Sequence, residues 1–155
     1  MNTYEKLQEV ACKDGIEVVD YPFESKRIKG LYCDGTIAIR DNIDTTTEKA
    51  CVLAEELGHH YTSVGNIIDM EYIGNRKQER QARLWAYNQN IGLFGLISAY
   101  EHGCKSRYEI ADYLDVTDEY LEDCIDCYRD KYGEYKIVDN YTIYFIPNLI
   151  IFKKI

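Results

Sequence analysis

The chain has 155 residues, 46% of them hydrophobic, and a formal net charge of −9, enough for one domain with a genuine core and short of two. No segment concentrates lysine and arginine while sparing acids, so a phosphate backbone finds no electrostatic footprint and direct nucleic-acid binding is not expected. The opening MNTYEKLQEV carries Glu5, Lys6 and Glu9 where an export signal needs an unbroken apolar stretch. The most apolar run, Tyr144 to Phe152, is interrupted by Pro147 and Asn148 and falls far short of the roughly 20 residues of a spanning helix. That run reads as a core strand pair, and the protein as a cytoplasmic one without membrane contact. Six cysteines (Cys12, Cys33, Cys51, Cys104, Cys124, Cys127) are scattered without a framework, so they are expected to stay reduced as small core residues. Cys124-x-x-Cys127 has no second pair nearby and lies in a helical pattern, which favours packing over zinc or redox chemistry.

Residues 3 to 13 align Tyr4, Leu7, Val10 and Ala11 on a helical stripe, with Gly15 as the stop. Short β-prone runs follow at Ile16–Val19, Gly30–Cys33 and Thr36–Arg40, the last two joined by Asp34-Gly35, a favoured type I′ hairpin dipeptide. Thr45-x-x-Glu48 is a capping box and opens a helix to about Ser63, before Gly65-Asn66. Further helices are predicted over Arg76–Gln89, onward to Tyr100, over Ser106–Leu114 and over Asp118–Tyr132, the last capped by Gly133. The chain closes on β-prone runs at Tyr135–Val138, Tyr141–Ile146 and Leu149–Phe152. The class is α+β, a single domain over 1–155, mostly helical, with a small N-terminal sheet and a β-rich tail.

On the Thr46–Ser63 helix a 100° step puts Ala50, Leu53, Ala54, Leu57 and Tyr61 on the core side. Glu55, His59 and Thr62 fall opposite, with Glu55 and His59 one turn apart, so two groups able to bind a metal share a face. Glu56 lies one step around, where a carboxylate could take a proton from water without binding the metal itself. Glu55-Glu56-Leu57-Gly58-His59 thus has the geometry of H-E-x-x-H with glutamate in the first position. The other register, Glu56 with His60, puts Leu57 where the base belongs. Glutamate and histidine opposite an apolar stripe are equally what a solvated helix face shows, so spacing alone leaves both readings open.

The segment EKACVLAEELGHHYTSVGNI, followed by NRKQERQARLWAYN, resembles the ImmA/IrrE family of metallopeptidases in the form carried by prophages and mobile elements, and GLYCDGTIAIR and the aromatic tail extend the likeness. The resemblance implies a zincin-like active-site helix and a zinc ion held by two groups of that helix and a carboxylate from the next. It maps the metal ligands to Glu55, His59 and Glu79, the last in an E-x-x-A with Ala82, and the catalytic base to Glu56. Glu55 departs from the family's histidine. A set with two carboxylates leaves less positive charge to acidify bound water and admits manganese or another divalent ion beside zinc. The resemblance further implies cleavage of a helix-turn-helix repressor of the same element. The alternative is a catalytically silent relative that binds and inactivates the repressor.

Of the remaining histidines, His60 is expected to hydrogen-bond beside the core face, and His102 to end a helix before Gly103. The two helices between Ser106 and Tyr132 have a superficial helix-turn-helix look, but from Tyr108 to Tyr135 ten acids stand against Arg129 and Lys131 and would repel phosphate.

Overall fold

Residues 1–62 and 72–155 are described in the computed structural model, with side chains for 1–62 and 76–155. The helix stops expected at Ser63 and Gly65-Asn66 lie outside the described residues. Helix α1 (Thr3–Lys13) begins where the Asn2 side chain accepts the Glu5 amide at 2.8 Å, and it buries Leu7 and Ala11. Strands β1 (Glu17–Tyr21), β2 (Gly30–Cys33) and β3 (Thr36–Arg40) form a sheet in the order β1-β3-β2, with β1 parallel and β2 antiparallel to β3. Asp34 and Gly35 make the two-residue turn with φ of +47° and +83°, the two left-handed positions a type I′ hairpin requires. The central strand turns Ile37 and Ile39 into the core, both fully buried.

Helix α2 (Thr46–Thr62) starts at Thr45, whose hydroxyl accepts the Glu48 amide at 3.1 Å. It lies against α1, β2, β3 and, over its greatest length, α3 (Tyr72–Asn90). Ala50, Leu53, Ala54 and Leu57 are fully buried as the helical phase predicts. Tyr61 departs from that stripe: it is 36% exposed, stacks on Trp85 at 4.9 Å and donates its hydroxyl to Asp14. A phenol at the helix end keeps its polar tip near water while its ring covers the indole. Helix α3 begins a turn before the expected Arg76, across Gly74 and Asn75, whose weak helix preference hides the start.

These elements make up one compact unit, Met1–Asn90; Ile91–Ile155 form a second. The second unit contains α4 (Gly92–Glu101), α5 (Arg107–Leu114), α6 (Asp118–Tyr132) and an antiparallel sheet of β4 (Tyr135–Val138), β5 (Tyr141–Tyr144) and β6 (Ile150–Lys153). Ser106 and Thr117 cap α5 and α6 by accepting the amides of Glu109 and Tyr120 at 3.1 Å each. Tyr120, Leu121, Cys124, Ile125 and Tyr128 form the buried side of α6, and Tyr128 meets Phe145 edge-on. His102 caps α4 as expected, its ring stacked on Tyr113 at 4.5 Å.

Two expectations are corrected here. The apolar tail is only half core: Ile143 and Phe145 are buried, whereas strand alternation turns Tyr135, Ile137, Ile150 and Phe152 to the outer face at 43–60% exposure. Among the cysteines, Cys51 and Cys124 are buried, but Cys12 and Cys33 are exposed, one on the outer phase of α1 and the other at the end of an edge strand. The class is α+β, and among the described residues no helix is long and apolar enough to cross a membrane.

Candidate active site

Helical phase alone would leave Glu55 and His59 facing water, but α3 lies along that side of α2. At Gly58 a Cβ would fall 2.2 Å from the carbonyl oxygen of Ala82, so there the two helices meet backbone to backbone. Ala82 is fully buried at this crossing. Glu79, one turn before Ala82, shares its face of α3 and is therefore carried to α2. His59 Nε2 stands 3.1 Å from Glu79 Oε2, and Arg83 approaches the other carboxylate oxygen at 3.5 Å. The hydrogen bond to Glu79 raises the imidazole above its ordinary pKa against the opposing effect of burial, and the same bond holds Glu79 below the usual carboxylate range. Each partner thus favours the charged form of the other.

Glu56 sits under β2. A Cβ at Gly30 would come 2.7 Å from Val52 Cγ1 and 3.0 Å from Glu56 Cγ, so the strand rests directly on the stem of this glutamate. Burial pushes the Glu56 carboxyl up to about 7, with the Glu55 and Glu79 carboxylates adding to the rise and His59 and the backbone amide of Tyr32 opposing it.

Of the four residues singled out by sequence, His59 and Glu79 are in direct contact, and Glu56 lies within their electrostatic reach. Glu55 is half-buried one turn before His59, and its charge acts on both His59 and Glu56. Among the described residues, no three His, Cys, Asp or Glu side chains stand close enough together to hold a metal ion. His60 faces the other way, its Nδ1 2.8 Å from the Tyr32 hydroxyl, as its expected hydrogen-bonding role requires.

The family model described as the Peptidase M78, IrrE N-terminal-like domain matches residues 11–123. The chain belongs to this family. Membership in Peptidase M78 carries a metallopeptidase-type function, and the family is of the zinc type. No curated protein and no solved structure matches the chain.

The M78 donors can be tested against the geometry. Zinc takes imidazole nitrogen and carboxylate oxygen at about 2.0–2.2 Å, which puts two tetrahedral ligands roughly 3.4 Å apart. His59 Nε2 and Glu79 Oε2, hydrogen-bonded at 3.1 Å, stand near that spacing, so the two donors are of the kind and separation a divalent ion takes once the shared proton leaves, while Glu55 completes no three-donor group with them among the described residues. Two contributors were not singled out from sequence. Gly58, an isolated glycine inside a strong helical pattern, carried a signal, since such a residue costs about 1 kcal/mol of helix stability and implies a packing reason. Tyr32 carried none, because its hydroxyl reaches His60 across two elements.

Proposed function

We propose that the chain is a metal-dependent endopeptidase that cleaves a helix-turn-helix repressor encoded beside it, relieving repression. The observation that carries this reading is the His59–Glu79 contact at 3.1 Å with the half-buried Glu56 carboxylate at its side. A zinc or manganese ion held by His59 and Glu79, with Glu55 as the third protein ligand, would supply Lewis acidity to the scissile carbonyl and the attacking water. Glu56 accepts the proton of that water as the new C–O bond forms, then passes it to the amine as the C–N bond breaks. A carboxyl raised to about 7 suits both halves of the task, because base and acid forms are both populated near neutral pH.

The test is to incubate wild type, Glu56→Gln and His59→Ala with the repressor, following fragments by mass spectrometry and association by pull-down. Glu56→Gln keeps size and hydrogen bonding but cannot take the proton, so cleavage should fall ~10²- to 10⁴-fold while metal content and association persist. His59→Ala should lose metal and cleavage together.

The second reading is a catalytically silent relative that inactivates the repressor by binding. It is favoured by glutamate at position 55 and by the lack of a three-donor group among the described residues. Association and relief of repression without fragments, with zinc or manganese supplied, would establish it in place of the first.

A further inference from the structure

The β4-β5-β6 sheet has two unlike faces. Strand pairing sets Tyr135 beside Tyr144 and Ile137 beside Thr142, then Tyr144 beside Ile150 and Thr142 beside Phe152, so these six side chains share one face. None of them is charged. Tyr135, Ile137, Ile150 and Phe152 are 43–60% exposed, with Thr142 and Tyr144 half-buried between them. The Tyr144 ring lies 5.6 Å from Tyr135 and 5.9 Å from Phe152, so a row of three rings crosses all three strands. The rings hold one another in place, and a partner would have little side-chain freedom to remove. The opposite face buries Ile143 and carries the lysines: Lys153 pairs with Glu101 at 3.4 Å, and Lys136 lies 5.8 Å from the centre of the Tyr132 ring.

Charge and area together select what covers the uncharged face. A lipid surface is held by lysines ringing the aromatic residues, whereas the lysines of this sheet turn the other way and the chain's net charge of −9 opposes an anionic bilayer. Two copies of so acidic a chain repel one another over most of their surface, but they meet here without opposing like charges. A two-fold axis puts the same patch on both sides, which demands self-complementarity, and rings with β-branched side chains provide it when one sheet stacks on another. Two aromatic residues and two isoleucines exposed by about half, with their neighbours, leave roughly 400–600 Å² open on each copy. Doubled, that is roughly 800–1,200 Å², around the least that a specific interface buries. Strand addition at the sheet edges is the poorer geometry, because β4 and β6 each carry a lysine, Lys136 and Lys153. We propose that the outer face of the β4-β5-β6 sheet is a self-association surface on which a second copy of this chain stacks its own sheet face to face. This goes beyond the peptidase reading and does not depend on it.

Sedimentation equilibrium of the full chain tests it. Wild type should show a monomer–dimer equilibrium with Kd of roughly 1–100 µM, as befits an interface of small area. Ile137→Glu and Phe152→Glu each place a charge inside the stacked face and should raise that Kd at least ~10-fold. Tyr108→Glu, at a side chain 74% exposed on α5 and away from the sheet, should leave it unchanged. A wild-type measurement guards against misfolded variants: the methyl resonances of Ile137 and Ile150 should shift with protein concentration while those of Ile39, buried in the first unit, stay fixed. A chain that sediments as a monomer up to about ten times the upper Kd overturns the proposal. So does a dimer that Ile137→Glu and Phe152→Glu leave intact, or a monomer that floats with phosphatidylserine vesicles through this face.

Discussion

Glu56 and His59 both hold their protons more firmly in the folded chain than free side chains would, for different reasons: burial in the first case, the Glu79 carboxylate in the second. The consequence for stability has a definite sign. A carboxyl whose value rises from 4.5 to about 7 on folding penalises the folded state progressively as pH climbs through that interval. His59, raised above 6.5, contributes stability that is present below that value and lost as pH rises through its folded value. Glu79 is lowered, so its contribution is already complete above 4.5 and adds no slope there. Urea unfolding of the chelator-treated protein should therefore show a midpoint that falls between pH 5 and pH 8, with a shallower fall in Glu56→Gln. A midpoint that rises with pH, or an identical slope in the variant, would refute this assignment. Position 55 offers a second test. Replacing Glu55 by histidine supplies a softer nitrogen that suits zinc better than carboxylate does, so Kd for zinc should decrease in a competition titration against a chelator. An equal or larger Kd would remove Glu55 from the ligand set. The sequence made Glu55, Glu56 and His59 readable together because a single helix carries all three at fixed phase. It could not expose Tyr32, whose hydroxyl meets His60 only once strand and helix have packed together.

Helices α2 and α3 come into backbone contact at Gly58. Gly58→Ala would place a methyl 2.2 Å from the Ala82 carbonyl oxygen, and neither side of that contact is a flexible side chain. The helices must part, at an overpacking cost of about 1–3 kcal/mol. Because Glu79 travels with α3, affinity for zinc should fall by more than the change in unfolding free energy alone would suggest. Denaturant unfolding and zinc titration of the same variant check both, and unchanged values for the two would mean that the crossing is looser than described. Most element boundaries were readable where a side chain caps a helix or a turn needs left-handed residues, as at Thr45, Ser106 and Asp34-Gly35. The parallel pairing of β1 with β3 was not, because it joins segments separated by another strand, with β1 packed on α1 and β3 on α2. The outer face of the β4-β5-β6 sheet was misread for a related reason. Apolar content shows that a strand can be buried, while only the layers around it determine which of its two faces is.

Across the molecule the balance of charge is strongly acidic, with 27 Asp and Glu against 18 Lys and Arg. Duplex DNA should bind no more tightly than the weakest non-specific class, with Kd of about 10⁻⁴ M or above at physiological salt. Electrophoretic mobility shifts over a range of salt would check this, and a micromolar complex that dissolves with added salt would contradict it. The helix crossing at Gly58 has one more implication. At that point the glycine meets main-chain atoms of Ala82, so the contact itself involves none of the reactive side chains mounted on either side. A side chain at position 55 can be exchanged without touching the contact that brings α3 alongside. Side-chain chemistry and architecture are in this sense separable: the first can change one residue at a time, while the second leaves no room for an added atom at Gly58.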